Sequence, residues 1–314
     1  MKFIKKDFLK NLILVTGTHT SGKSMISPVI ASFQNVEILR KIYTLDQLAM
    51  LHHFKKIDLQ TSIFIAKHIL DISYYEQLIG RNMNFRTEDE TSVNQSKNPN
   101  YFAKRVNTKR GYGVIKKHNE KNTHMILDTH DGLWFYKFWK SIGIKNLKIV
   151  SIFRNPIDMA NSWINLGLGD AEKQELCQIP LLQNKKNIKP FYYYRNMNVK
   201  NKNKNDIAID MVAECFVNDL KSYEKIKNKK NIYRIEFNNF AENTDVIIKN
   251  LNNFLRLKKT KFTNNIKLKE RLPRIVEKSE REKKITKIKN LVSKNKLIKL
   301  LELETLFNDH KRKI

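Results

Sequence analysis

Eight residues near the start of the chain have the types and spacing of a phosphate-binding loop. Residues 17–24 read G-T-H-T-S-G-K-S, in which two glycines flank four residues and a Lys–Ser pair follows. The glycines let the backbone curl so that successive N–H groups converge on an anion, and the positive end of a following helix points at the same place. The sequence therefore predicts a phosphate site, whose binding residues are Thr18, His19, Thr20, Ser21, Gly22, Lys23 and Ser24.

A second group of polar residues follows a later apolar run. From Arg154 the chain reads R-N-P-I-D-M-A-N-S. Asn155 is a favourable N-cap and Pro156 suits the first helical position, so a helix should begin where the strand stops. Arg154 then lies at the strand end, and Ser162 shares a helical face with Asn155. An arginine and a hydroxyl so placed could hold a second phosphate. The alternative is that the helix is capped in the ordinary way and that Arg154 is a surface residue.

A third polar group ends another apolar run. Residues 124–132 read H-M-I-L-D-T-H-D-G, which predicts a buried strand whose carboxyl end carries Thr129 and His130. Ligands of open α/β sheets bind beyond such ends. His130 is thus placed either to meet a ligand or simply to satisfy its hydrogen bonds at a strand end. His19, in the loop itself, is a weaker candidate for a base and could be an exposed loop residue.

Strands and helices alternate around these three groups, which predicts an α/β fold. Apolar runs predict strands over residues 12–15, 36–39, 124–128, 146–153 and 231–237. Helical spacing predicts helices near residues 24–33, 45–78, 206–220 and 237–255, one that begins at Asn155 and includes Ser162, and one from 275 onward.

Two irregular stretches interrupt this alternation, near residues 80–123 and 167–206. A long stretch without regular structure inside a compact domain is usually a lid or a binding loop. In the first stretch, Arg81, Arg86 and Asp89 could contact an acceptor substrate or be solvated loop charges.

Length and composition predict one large domain of 314 residues, 41% of them hydrophobic. We predict an α/β domain over residues 1–270, containing both irregular inserts, and a helical extension of the same domain over 271–314. The net charge of +29 is spread along the chain and mixed with asparagine. It favours anionic ligands without indicating a specific nucleic-acid partner.

Cysteine usage and hydropathy predict a cytoplasmic protein. Cys177 and Cys215 lack the spacing of a metal site and fit a reducing compartment. No stretch approaches the roughly 18 apolar residues of a membrane span. No metal ligands are predicted, and the sequence indicates no oligomeric state.

The order of the motifs resembles the sulfotransferase superfamily, over residues 12–257. The resemblance implies a three-layer α/β/α fold similar to P-loop NTPases, with a central, mostly parallel sheet and here a helical C-terminal segment. It also implies 3′-phosphoadenylyl sulfate (PAPS) as donor and adenosine 3′,5′-bisphosphate (PAP) as product. In the family the first loop holds the 5′-phosphosulfate, which falls on residues 18–24 here. The R-N-P-x-D-x-x-x-S segment holds the 3′-phosphate, which falls on Arg154 and Ser162.

The family's K-T-H motif supplies a general base, and the T-H pair here makes His130 the candidate. Residues 237–243, F-N-N-F-A-E-N, resemble a Y-E-D-L-type segment in which Asn238 and Asn239 replace the acidic pair. Family loops usually read K-S-G-T-T or R-S-G-T-S, whereas Thr20 holds the place of that cation here and Lys23 follows the glycine, as in nucleotide kinases. The R-K-G-x-x-G segment of the family is absent.

The leading hypothesis is sulfuryl transfer from PAPS to a hydroxyl or amine of a small-molecule or glycan acceptor, without a required metal. His130 would take the acceptor's proton, and Asp128 or Asp131 could orient its ring. Lys23 would stabilise the departing phosphate oxygen. One alternative is a phosphotransferase that uses Mg-ATP, with Asp128 near the metal. Another is a non-enzymatic polyanion-binding protein, based on the positive charge.

Overall fold

Five parallel strands form the sheet at the centre of the fold. The computed structural model describes residues 8–170, 181–184, 187–190, 203–275 and 279–312. The strands are β1 Asn11–Gly17, β2 Arg40–Lys41, β3 Met125–His130, β4 Asn146–Phe153, β5 Leu181–Asn184, β6 Asn187–Pro190 and β7 Ile232–Glu236. The central sheet has the order β2-β3-β1-β4-β7, and β5 and β6 form a separate antiparallel pair.

Helices cover both faces of this sheet. They are α1 Lys23–Ala31, α2 Tyr43–His53, α3 Leu59–Leu78, α4 Pro99–Ala103, α5 Tyr112–Glu120, α6 Tyr136–Ser141, α7 Pro156–Asn165, α8 Lys204–Lys225, α9 Phe237–Glu242, α10 Thr244–Leu255, α11 Thr263–Lys269, α12 Ser279–Lys289 and α13 Lys294–Lys311. Short 3-10 turns occur at Val93–Gln95 and Lys104–Asn107. The predicted α/β fold with a central parallel sheet and a helical C-terminal segment is confirmed.

Strand β1 shows why the sheet is covered on both sides. All seven of its residues are buried. Because side chains alternate along a strand, Leu12 and Leu14 pack into one apolar cluster, and Ile13 and Val15 into another on the opposite face. A strand buried on both faces reads as a continuous apolar run, which is the pattern in the sequence.

The register of the strands brings the three polar groups to one edge of the sheet. Gly17 at the end of β1 lies opposite His130 at the end of β3. Thr16 lies opposite Ser151 in β4, and β4 ends at Phe153, one residue before Arg154. Because these strands are parallel, their carboxyl ends meet, and the segments that follow them share one cleft.

Two predictions near the N-terminal half were wrong in detail. The strand expected at 36–39 lies instead at Arg40–Lys41, because the β3 register pairs Lys41 with Asp128, and Val36 forms only an isolated bridge. The single helix expected over 45–78 is split into α2 and α3. The break includes Lys55, whose left-handed backbone (φ 56°) cannot continue a right-handed helix.

The stretch 80–123, expected to be irregular, contains α4 and α5. Asn98 caps α4 by accepting a hydrogen bond from the Tyr101 N–H. Arg105 makes a buried ion pair with Glu37, across to the body of the domain. The cap depends only on neighbouring residues, but the ion pair depends on the tertiary fold. The regular structure of this stretch therefore could not be predicted from its composition.

The C-terminal helices pack against the second polar group. Helix α12 contacts α7, and α13 contacts both α7 and α8. Leu300, Leu303 and Phe307 of α13 are buried, as the apolar spacing predicts. The division at residue 270 stays a prediction. Most of the insert 167–206, with Cys177, lies outside the described residues, and Cys215 is buried. None of the described helices combines the length and apolarity required to cross a bilayer.

Candidate functional site

The phosphate loop curls between β1 and α1 with left-handed backbone at two positions. Gly22 has φ 103° and is the N-cap of α1, while Thr20 has φ 65°. Helix α1 has no side-chain cap and no acidic residue in its first turn, so its N-terminal N–H groups keep their attraction for an anion. A Cβ on Gly22 would lie 2.1 Å from Cδ2 of Phe237, so glycine is required here for space as well as for φ.

Lys23 lies inside the loop and is buried. Its Nζ donates to the carbonyl oxygens of Gly17 at 3.0 Å and Thr18 at 3.2 Å. Burial lowers the pKa of Lys23, and the carboxylates of Asp128 and Asp131 oppose that shift. The lysine therefore forms part of the loop's interior. Ser24, the next residue, is exposed.

Arg154, in the second polar group, and Trp163, one residue past its end, contact the loop from outside. Arg154 Nη1 donates to the Thr20 carbonyl at 3.0 Å. Trp163 Nε1 lies 3.1 Å from the His19 carbonyl oxygen and 3.0 Å from Thr20 Oγ1. Trp163 was missed in the sequence, because an indole in a helix reads as core. The only local indication that it contacts the site was its position, one residue after Ser162.

Ser162 and Asn155 serve helix α7 in the structure. Asn155 Oδ1 accepts from the Ile157 N–H at 2.8 Å, which is the predicted N-cap. Ser162 Oγ donates to the Asp158 carbonyl at 2.9 Å, one turn earlier in the same helix. The predicted role of Ser162 at a second phosphate stays a prediction.

Phe237 forms a platform beside the loop for two arginines. The Cζ atoms of Arg154 and Arg274 lie 4.5 Å and 5.5 Å from its ring centroid. The Arg274 N–H is bonded to the Ala241 carbonyl at 2.9 Å, which anchors that segment. Arg154 Nε has no hydrogen-bond partner. Asp158 Oδ2 lies 3.9 Å from that Nε. Two guanidinium groups on one ring suit an anion. Arg274 was missed because the R-L-P-R sequence around it matches no motif.

His130 lies between an acid and a second histidine. Its Nδ1 is 3.3 Å from Asp46 Oδ2, and its ring stacks on that of His19 with centroids 5.5 Å apart. The side chain of His130 keeps 18% of its surface exposed. The predicted orientation by Asp128 or Asp131 is wrong, because Asp46 in α2 makes that contact. Nothing in the local sequence of α2 marks Asp46 as a site residue.

Burial sets the protonation of this site. Burial lowers the pKa of His19 to about 3 and that of His130 well below its usual range, so both rings are neutral at pH 7. It raises the pKa of Asp46 and of Asp131 to about 7, and that of Asp128 to about 6. Such shifts are typical of functional sites. No three His, Cys, Asp or Glu side chains are grouped for a metal ion within the described ranges.

A cleft of about 600 Å³ opens next to the loop, on the β2 side of the sheet. Lys41 and Glu90 form an ion pair at its wall. Asp89 lines it and pairs with the exposed Arg86, while Arg81 is exposed elsewhere on the same stretch. The described residues that line it are Ser24, Lys41, Tyr43, Glu88, Asp89, Glu90, Thr91 and Glu270.

Comparison with protein families gives a match that covers most of the chain. Residues 13–298 match the family model of the sulfotransferase domain. No curated protein matches the sequence.

Three similar solved structures are each no more than 12% identical to this chain. The sulfotransferase domain from the curacin biosynthetic pathway is 10% identical (TM-score 0.45; 81% of this chain and 77% of that chain covered). The sulfotransferase domain of the Synechococcus PCC 7002 olefin synthase is 12% identical (TM-score 0.47; 98% of each chain). Sulfotransferase STF1 from Mycobacterium tuberculosis is 9% identical (TM-score 0.41; 90% and 77%). These likenesses are too weak to support an argument about substrates.

Proposed function

Because this chain belongs to the sulfotransferase domain family, we propose that it transfers a sulfuryl group from PAPS to a hydroxyl or amine of a small-molecule or glycan acceptor. The observation that carries the proposal is the hydrogen bond from Arg154 to the Thr20 carbonyl. It makes the loop and the second motif two ends of one site. PAPS carries a phosphosulfate at one end and a 3′-phosphate at the other, so it requires such a pair.

The residues at both ends suit these two anionic groups. At the loop, the N-terminus of α1 and the ammonium of Lys23 favour a 5′-phosphosulfate, with the hydroxyl of Ser24 next to them. At the other end, Arg154 and Arg274 lie on Phe237. Burial lowers the pKa of Arg154, the Asp158 carboxylate opposes that shift, and Arg274 adds to it. A bound 3′-phosphate would offset the repulsion between the two guanidinium groups.

The chemistry assigns separate tasks to Lys23 and His130. PAPS supplies an activated sulfuryl group attached to a phosphate leaving group. Lys23, already inside the loop, holds positive charge next to the oxygen that becomes negative. His130 is neutral and reachable, so it accepts the acceptor's proton. The sulfuryl group is less charged than a phosphoryl group, and the proposal therefore requires no metal clamp.

One observation favours a second candidate, a phosphotransferase that uses Mg-ATP. Lys23 and Ser24 complete a kinase-type loop, and Asp128 lies at the end of the adjacent strand β3 with its Oδ1 unpartnered. Such a carboxylate could serve a metal on the phosphates. This candidate leaves the two arginines on Phe237 without a role.

Calorimetry with the full chain separates the candidates. We expect PAP to bind in the presence of a metal chelator and ATP to bind much more weakly. Tighter binding of Mg-ATP than of PAP, with no effect of Arg154→Ala, would overturn the sulfotransferase proposal in favour of the phosphotransferase. Steeply salt-dependent binding to nucleic acid without nucleotide affinity would favour polyanion binding instead. Radiolabelled PAPS offered to phenols, alcohols, sugars and amines then tests transfer and identifies the acceptor class.

A further inference from the structure

Asp46 contacts His130 although the two residues are 84 positions apart. Its Oδ2 lies 3.3 Å from both the backbone nitrogen and Nδ1 of His130, and its Oδ1 accepts from the Thr129 hydroxyl. We infer that Asp46 is the positioning residue of an Asp–His pair that leaves His130 Nε2 as the proton-accepting atom. The inference rests on the proposed function for the source of that proton, and on the contacts of Asp46 for the pair.

The contacts of Asp46 select one tautomer of the His130 ring. An ionised carboxylate only accepts hydrogen bonds, so the Nδ1 that faces it must carry the hydrogen. In a neutral imidazole, Nε2 then has the free lone pair. Burial, with Lys23 and Lys41 nearby, lowers the pKa of His130 and keeps the ring neutral. Asp46 itself is ionised above its raised pKa of about 7, so the pair is best defined in mildly alkaline solution.

The backbone around Asp46 keeps the acid in place. Asp46 lies in the first turn of α2, which begins shortly after β2. Lys41 of β2 is paired in register with Asp128 of β3, two residues before His130. His130 is therefore carried by β3 and Asp46 by the helix that follows the adjacent strand β2, which limits their relative movement.

The ring of His130 is also held from its other side. The His19 ring stacks on it with an interplanar angle of 13°, and the His19 carbonyl accepts from the Trp163 indole. Carboxylate and stacked ring together fix the orientation of the imidazole, and the exposed part of the side chain remains accessible to an acceptor.

For a hydroxyl acceptor, the transfer of the proton accompanies the transfer of the sulfuryl group. His130 Nε2 takes the hydroxyl proton while the acceptor oxygen forms a bond to sulfur. The bond from sulfur to the 5′-phosphate oxygen breaks, and its electron pair leaves on that oxygen, next to Lys23. The resulting imidazolium is stabilised by the Asp46 carboxylate, which keeps its own charge.

Nitrogen NMR and kinetics of the full chain test the pair. In protein with ¹⁵N-labelled histidine at about pH 8, we expect the His130 signal, assigned by its loss in His130→Asn, to show hydrogen on Nδ1. Asp46→Asn can donate from its amide to Nδ1, so the ring should move toward the tautomer with hydrogen on Nε2. For an acceptor that is turned over, kcat should fall by about 10²-fold or more, with PAP affinity little changed. Thr129→Val removes the other side-chain bond of the same carboxylate and should keep the tautomer.

Three results would overturn the inference. One is hydrogen on Nε2 in the unmodified protein, and another is an unchanged tautomer in Asp46→Asn. The third is a loss of turnover in Thr129→Val as large as in Asp46→Asn, since that would make Asp46 an anchor of the β3 end only. If the unmodified protein fails to bind PAP, the proposed function is wrong. The NMR comparison would still show whether Asp46 sets the tautomer of His130.

Discussion

Arg154 Nη1 donates a hydrogen bond to the carbonyl oxygen of Thr20 at 3.0 Å, across 134 residues of sequence. Thr20 has a left-handed backbone, which is uncommon for a residue other than glycine, asparagine or aspartate. The bond therefore helps to hold an unfavourable loop conformation. The same guanidinium lies on Phe237, and its Nε is 3.9 Å from Asp158 Oδ2. Under the proposed function, Arg154 would join the shape of the loop to the binding of a second anionic group.

Arg154→Ala should weaken PAP binding by about 10- to 100-fold, because a hydrogen bond to a charged group contributes roughly 1.5–3 kcal/mol. Calorimetry should show a smaller loss for adenosine 5′-monophosphate, which lacks the 3′-phosphate. The control is Arg110→Ala, which removes the same charge from an exposed position. Equal losses for both nucleotides would show that Arg154 acts only through the loop.

Trp163→Phe should also weaken PAP binding, by about 5- to 10-fold, because the loop loses the indole bonds to His19 and Thr20. Trp139→Phe is a matched control, since Trp139 is equally buried but its Nε1 has no hydrogen-bond partner. Both variants lose core volume and should unfold at lower temperature. Only the Trp163 variant should lose affinity, as measured by calorimetry at a temperature where both are folded. An equal loss in the Trp139 variant would assign the effect to packing.

Gly22→Ala should abolish nucleotide binding and lower the Tm. The new methyl group would lie 2.1 Å from Cδ2 of Phe237, and φ at this position is 103°, so both the loop and the arginine platform must shift. Gly113→Ala is the control: it lies in α5, where a Cβ meets no atom within 4 Å. Alanine there should leave binding intact and stabilise the protein by up to about 1 kcal/mol. Normal PAP affinity in Gly22→Ala would show that the loop can adapt.

Asp131→Asn should raise the Tm of the ligand-free protein by several degrees at about pH 8 and by much less at about pH 5. Burial raises the pKa of Asp131 from an ordinary 3.8 to about 7. At pH 8 the folded state holds a buried charge. As the pH falls below about 7, the folded state takes up a proton before the unfolded state does, so this destabilisation is relieved. Calorimetric scans at both values test the difference.

The left-handed backbone at Asp131 (φ 52°) accepts asparagine, so the substitution introduces no new strain. His19 and His130 are present in both chains, and their own pH effects cancel in the comparison. Asp309→Asn, at an exposed position, is the control and should change the Tm little. A Tm of the Asp131 variant that does not exceed that of the parent at pH 8 would contradict the buried-charge argument.

Local features of the fold were readable from the sequence because short-range physics determines them. The loop between β1 and α1, the N-cap at Asn155 and strand β4 at Asn146–Phe153 all lie where their residues predict. Each depends on neighbours within a few positions: apolar runs, a capping amide, or glycines that permit φ > 0. The left-handed backbone at Lys55 interrupts residues 45–78. The helical periodicity of that stretch alone predicted one helix in place of two.

The sequence by itself determined the parallel α/β order and the three polar groups at the strand ends, since a central strand must be apolar and a phosphate loop must be rich in glycine. Only the tertiary structure decided which distant residues complete the site. Asp46 reaches His130, Trp163 reaches the loop, and Arg274 joins Arg154 on Phe237. Such contacts depend on the register of neighbouring strands and on how helices pack over them. No local pattern of residues encodes that geometry.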